Sequence, residues 1–216
     1  MVTNGYRNAR LGQRMANAVI REITSIKQAG VQRTHQIVLE AIKMILNCDH
    51  LSLLDVGCGV GLYREVLRQY DSFVDYEGAD FNETMIARAQ GLFPETKFHL
   101  ADARLLPFDD DSYDVVLAGA ILEHIKEWRR ALDEICRVAE KHLILHRTLL
   151  IAPDEPTRTE RQIAFGEAIW RVYIDKRELI HCLARRNFVV SDEWFVAKDG
   201  NKGAQWTFLC RRTNAT

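Results

Sequence analysis

Apolar positions divide this chain into stretches of two different periods, and the order of those stretches is its first structural information. Between Ala9 and Gln28, Leu11, Met15, Val19, Ile23 and Ile26 recur at helical spacing with Arg and Gln on the other side. That pattern predicts an amphipathic helix laid over the rest of the chain as a lid or brace. Ala29 and Gly30 break it. A second helix is predicted after Thr34, whose hydroxyl can cap it, with Ile37, Val38, Ala41, Ile42, Ile45 and Leu46 inward. The period then changes. LSLLDV, residues 51–56, is an apolar run of strand length, and Leu62, Val66, Leu67 and Tyr70 resume helical spacing after it. A strand near Val74 to Ala79 ends at Asp80, and Asn82 can cap a helix carrying Met85, Ile86 and Ala89 that stops around Gly91 and Pro94. The strands KFHLAD and YDVVLAGA come next, then a helix from about Lys126 to Ala139 and the strand HLILHRTLL.

Residues 151–174 carry two prolines, many charges and an aromatic patch of Phe165, Ile169, Trp170 and Tyr173 at helical spacing, which reads as a substrate-side insertion above the sheet edge. Asp175 and Glu178 have capping-box spacing for one more helix. NFVVSDEW and QWTFLC then form a closing strand pair, and the Asp199, Gly200, Gly203 loop suits an antiparallel hairpin. Strands alternating with helices predict an α/β fold with a mostly parallel sheet covered on both faces. No linker or repeat interrupts it, so residues 1–216 are expected to form one domain. Its parts are N-terminal helices (1–50), a core (51–150), the insertion (151–174) and a C-terminal helix and strand pair (175–216).

Composition narrows the partners. With 29 Lys and Arg against 30 Asp and Glu the net charge is -1, which offers no basic field for a nucleic-acid backbone. Five scattered cysteines without a CxxC pair suit a reducing cytoplasm. No signal-peptide core or bilayer-length apolar window is present, so no membrane partner is expected. The histidines show no metal-binding pattern, and Asp109 to Asp111 read as a solvated turn, so no metal is expected. Nothing here sets an oligomeric state.

The candidate chemistry centres on LSLLDVGCGVGLY. Gly57, Gly59 and Gly61 follow a strand at alternate positions, so the turn can be sharp and its backbone can approach a ligand closely. A dinucleotide fold would use GxGxxG, but Leu62 stands where the third glycine belongs, which disfavours a nicotinamide-dependent oxidoreductase. Asp55, Asp80 and Asp102 fall where three successive strands end or turn, so their carboxylates would converge on one crevice. Asp80, nineteen residues past Gly61, is suitably spaced to accept hydrogen bonds from ribose hydroxyls.

With LLDVGCGVG, EGADFNETMIARA, FHLADARLLPFDDDSYDVVLAGAILEHI and LDEICRV, the chain resembles the class I S-adenosylmethionine-dependent methyltransferases, in particular the small-molecule branch called type 11. The resemblance implies a Rossmann-like, doubly wound, seven-stranded sheet with one reversed strand near an edge. It implies S-adenosylmethionine as cofactor, with Gly57, Cys58, Gly59 and Gly61 bordering its methionine and ribose portions and Asp80 with Phe81 at the ribose. Ala101, Asp102 and Ala103 would meet the adenine, and Ala120 and Ile121 would lie beside the cofactor. Asp55 can favour the cationic end. The acceptor would be a small molecule, with His124 as general base if it is a hydroxyl. His146, Arg147, Trp170 and Tyr173 would form the acceptor side, where an arginine suits a carboxylate or phosphate. One departure stands out: the family's Lys-Pro-Gly-Gly turn after the LDEICRV-like segment is replaced by AEKHLILHR. A binding module without an acceptor pocket is the remaining alternative.

Overall fold

The computed structural model describes residues 9–46, 50–164 and 166–213; Cys48 and Phe165 lie outside them. Nine strands and six α-helices follow one another in the described chain. The helices α1 (Ala9–Ala29) and α2 (Arg33–Ile45) precede β1 (Leu51–Val56), α3 (Leu62–Val66), β2 (Val74–Asp80), α4 (Glu83–Leu92) and β3 (Lys97–Leu100). Then come β4 (Tyr113–Gly119), α5 (Trp128–Val138), β5 (Ala139–Ile151), β6 (Arg158–Ala164), β7 (Glu167–Tyr173), α6 (Lys176–Ala184), β8 (Phe188–Asp199) and β9 (Gly203–Arg212). Seven strands form one sheet in the order β3-β2-β1-β4-β5-β9-β8. The pairings β2 with β3, β1 with β2, β1 with β4 and β4 with β5 are parallel, while β9 is antiparallel to both neighbours. This is the expected doubly wound sheet with one reversed strand near its edge.

The continuous apolar runs of β1 and β4 follow from burial on both sides. Leu53, Val115, Leu117 and Ile144 join the core under α1 to α4, whereas Leu54, Val116, Leu143 and Leu145 join the core under α5 and α6. Alternate residues on a pleated strand thus serve opposite layers. Full burial of a large apolar side chain contributes about 1.5–3 kcal/mol, so the fully buried Leu53, Leu54 and Leu117 of these central strands anchor both layers.

Several local readings need correction. Asn82 caps α4 through Met85 N and Asp175 caps α6 through Arg177 N, as expected. Thr34, however, lies inside α2, which starts after Gln32 without a side-chain cap. KFHLAD is strand only to Leu100, and Asp102 sits in the turn beyond it. The aromatic patch is not helical: β6 and β7 form an antiparallel hairpin separate from the main sheet. Ile169 and Tyr173 are four residues apart, a spacing that puts side chains on one face of a helix and of a strand alike. Ile169 packs on Leu11 of α1, so the hairpin folds back onto the first helix.

The missing Lys-Pro-Gly-Gly turn is replaced by a distant side chain. Helix α5 passes straight into β5, and Arg212 at the end of β9 donates to the carbonyls of Cys136, Ala139 and Glu140. A guanidinium there satisfies carbonyls that a helix end leaves open and meets the negative end of its dipole.

Candidate active site

The strand order reverses direction between β1 and β4, and the crevice beyond their carboxyl ends opens into a cavity of about 450 Å³. That size is typical of small-molecule sites. Its floor is the glycine turn after β1 and the Gly119, Ala120, Ile121 segment after β4. Asp80, Phe81 and Asn82 after β2, with Ala101, Asp102, Ala103 and Arg104 after β3, form one side. Glu123, His124, Arg147, Arg171 and Gln205 form the other, and Met15, Val19 and Glu22 of α1 with Ala164 and Ile169 of the hairpin form the cover.

The turn has the geometry that its glycines permit. Gly57, Gly59 and Gly61 all have positive φ, +77°, +56° and +86°, a region costly for residues with a β-carbon. Their surroundings differ. A β-carbon on Gly57 would lie 2.5 Å from Ile121 Cδ1, and one on Gly61 would press on Phe93 and Phe98, away from the cavity. One on Gly59 would meet nothing within 4 Å, so this residue leaves open space on the cavity side.

Asp80 braces the turn. Its Oδ2 accepts from Gly59 N at 3.0 Å and its Oδ1 from Asn82 N at 2.9 Å, linking the first glycine loop to the start of α4. Burial nevertheless raises its carboxyl above the ordinary range. Asp102 lines the cavity with its carboxylate paired to Arg104, Nη2 to Oδ2 2.7 Å and Nε to Oδ1 3.0 Å. Asp55 does not line it. It is fully buried, receives Tyr76 Oη on Oδ2 at 2.6 Å, and has no partner on Oδ1. Burial pushes its carboxyl up to about 7, with the Tyr76 hydrogen bond opposing and Asp80 adding to the rise. Convergence of the three aspartates therefore holds for Asp80 and Asp102 at the wall, with Asp55 outside it.

On the acceptor side the expected residues separate. A bulge in β5 sets His146 and Arg147 against Thr207 alone, and Arg147 takes φ +54°. Bulges re-aim side chains. Here Arg147 lines the cavity, its Nε 3.4 Å from Gln205 Oε1, while His146 is fully buried with Nδ1 2.7 Å from Thr207 Oγ1. Tyr173 is buried, its hydroxyl bonded to Asp199 and Gln162. Trp170 lies outside the lining, with Lys126 and Arg161 each stacked over its ring. His124 does line the cavity, but burial and the Arg171 charge push its imidazole down to about 4.

Among the lining residues not singled out from the sequence are Glu22, Glu123 and Arg171. Glu22 carried a usable signal, since a charge three residues from Val19 and four from Ile26 interrupts the apolar stripe of α1; it bonds the buried His35 at 2.8 Å. Glu123 was overshadowed by its neighbour His124, and Arg171 was hidden by the helical reading of its segment. Nothing in their spacing marks either.

Residues 54–145 match the type 11 family described as "Methyltransferase domain". Among curated relatives, the phosphatidylethanolamine N-methyltransferase of Cereibacter sphaeroides is 36% identical over 95 residues, 41% of this chain and 45% of that one. The ajmaline N-methyltransferase of Rauvolfia serpentina is 32% identical over 95 residues, 41% of this chain and 32% of that one. The chain thus aligns with about a third to a half of the length of these relatives. In structure, it resembles magnesium protoporphyrin IX methyltransferase from Synechocystis PCC 6803 with bound SAH, at TM-score 0.65 and 18% identity, covering 98% of this chain and 99% of that one. That likeness concerns the fold. The glycine turn, the strand order and the family match agree: residues 54–145 carry the matched methyltransferase domain, and the chain has the fold of the class I S-adenosylmethionine-dependent methyltransferases. Within that class, its matched stretch is of type 11.

Proposed function

We propose that this protein binds S-adenosylmethionine in the β1–β4 crevice and transfers its methyl group to a small molecule. The observation that carries this reading is a single cavity with a positive-φ glycine turn open on one side and a cluster of Glu123, Arg147 and Arg171 on the other. The open space at Gly59 fits a ligand pressed against backbone, and this cofactor brings no phosphate that would need a helix terminus.

Gly57, Cys58 and Gly59 would seat the amino-acid and ribose portions, Asp80 and Phe81 the ribose, and Ala101, Asp102 and Ala103 the adenine. Gly61 supports the turn from behind. Ala120 and Ile121 would sit beside the reacting end, and Asp55 would act on its positive charge through the turn. When bound, the cofactor supplies a methyl group on a cationic sulfur. The chain's own work is alignment: β1 and β4 fix the turn, while α1 and the hairpin exclude water over the reacting atoms. Arg147 would orient an anionic part of the acceptor, with Gln205 holding its guanidinium. The relatives named as N-methyltransferases of small molecules support this substrate class. The balanced charge favours no nucleic-acid partner, and the five scattered cysteines, four of them described and free, suit a single domain working in the cytoplasm.

Calorimetric titration with S-adenosylmethionine and with a nicotinamide dinucleotide tests the cofactor, with clear preference for the former expected. A carbon-13 methyl label on the cofactor then tests transfer. Label found only in intact proteins or nucleic acids would defeat the small-molecule assignment.

A further inference from the structure

The acceptor side of the cavity contains a buried acid that cofactor binding leaves unused. Glu123 is 3% exposed and lies in the short 3-10 turn Leu122–His124, two residues past Ile121. Its Oε1 faces Arg171 Nη1 at 3.6 Å and His124 Nε2 at 3.4 Å, and its Oε2 has no hydrogen-bond partner. A buried carboxyl oxygen left without a donor is costly, and such groups call for an explanation in function or in an absent ligand. The cavity it lines supplies the place for that ligand.

The charges around it are few and can be named. Arg171 approaches from β7 and Arg147 from β5, Asp199 at the end of β8 lies 3.6 Å from Arg171 Nη2, and His124 sits beside Glu123 in its own turn. Burial pushes the Glu123 carboxyl up to about 7, with Arg171 and then Arg147 pulling it back and Asp199 adding to the rise. His124 moves the opposite way, to about 4, so at neutral pH it is uncharged but weakly basic. A general base works best with a pKa near the operating pH, which favours the carboxylate over the imidazole.

We propose that Glu123 is the general base of the methyl transfer, and that the acceptor atom is a nitrogen or oxygen bearing a hydrogen that it donates to the Glu123 carboxylate. This rests on reading the cavity as a methyltransferase site. The acceptor's lone pair forms the new bond to the methyl carbon while the carbon–sulfur bond breaks and its electron pair stays on sulfur. The N–H or O–H pair stays with the acceptor atom, and its proton passes to the Glu123 carboxylate. Glu123 ends as a carboxylic acid, the sulfur ends neutral, and the methylated acceptor keeps its original charge.

The same carboxylate could merely anchor Arg171, and the experiment separates the two roles. The protein with carbon-13 methyl-labelled S-adenosylmethionine is incubated with the small-molecule fraction of a cell extract, and the product methyl carbon is identified by NMR as bonded to N, O, S or C. Nitrogen-bound and oxygen-bound products are the two arms that support the proposal. Glu123→Gln is expected to slow transfer at least ~100-fold with S-adenosylhomocysteine affinity unchanged, and to remove the acid limb of kcat near pH 7. That limb should persist in His124→Asn whatever its rate. In carbon-13 glutamate-labelled protein with S-adenosylhomocysteine, one carboxyl should titrate near neutrality and be missing from Glu123→Gln. Transfer to S or C, an unaltered rate or acid limb in Glu123→Gln, or titration of that carboxyl in the ordinary range would each overturn the assignment. If the parent transfers methyl and the variant matches it, only the base assignment fails. If the parent transfers none, the methyltransferase reading fails and the base assignment with it.

Discussion

Replacing Asp55 with Asn should change the pH dependence of stability more than any single surface substitution. The carboxyl is wholly buried beneath the glycine turn, with one oxygen on Tyr76 Oη and the other unpartnered. Burial lifts it from 3.8 to about 7, against the Tyr76 hydrogen bond and with the help of Asp80. An acid whose folded pKa exceeds its unfolded value binds its proton more tightly in the native state. Its contribution is therefore fully present below about pH 4 and is lost as pH rises through about 7. The difference, 7 minus 3.8, is about 3 units at 1.36 kcal/mol each, or roughly 4 kcal/mol. Asparagine keeps an acceptor for Tyr76 and cannot ionise. Denaturant unfolding across this range should show Asp55→Asn gaining on the parent by up to roughly 4 kcal/mol between about pH 4 and pH 8. A cation bound above the turn would favour the ionised form. Calorimetry near pH 7 in buffers of different ionisation enthalpy should therefore detect proton release when the parent binds S-adenosylmethionine, and less of it with Asp55→Asn. Parallel stability curves for the two proteins would refute the reasoning.

Asp80→Ala leaves Gly59 N and Asn82 N without their acceptor and should cost about 1.5–3 kcal/mol of stability, because bonds to a charged group are strong but this one bears a burial cost. Cofactor affinity should fall by a similar amount, and an unchanged affinity would confine Asp80 to bracing the turn. Gly59→Val should abolish S-adenosylhomocysteine binding in a protein that stays folded, at about 1–2 kcal/mol for the left-handed backbone, whereas Gly91→Val, in open space on α4, should leave binding intact. Equal losses of affinity would remove the argument from the turn. Arg212→Ala should lower the urea midpoint by about 2 kcal/mol equivalent with an unchanged slope, because three carbonyls at the α5–β5 junction lose their donor. A wild-type midpoint would mean that water replaces the guanidinium.

Local sequence determined the α/β alternation, because each element carries its own period. The both-sided burial of β1 and β4 made their runs apolar throughout, and the glycine spacing announced a turn that needs positive φ at three positions. Asn82 and Asp175 marked helix starts through bonds to residues within one turn. Where one spacing served two structures, local reading failed. Residues four apart share a face in either period, so the β6–β7 hairpin was indistinguishable from a helix until it packed on α1.

The acceptor side belongs to tertiary structure. The β5 bulge turns Arg147 into the cavity and buries His146, although the two are adjacent in the chain. Arg171 reaches Glu123 across 48 residues of sequence, and Arg212 closes a junction more than 70 residues away. Asp55 and Asp80 both sit at the carboxyl ends of their strands, yet one is sealed under the turn and the other faces the cavity. What sets a carboxyl's role here is the depth and the charges that distant segments bring to it. Neither quantity has a period along the chain, whereas the elements that create them do.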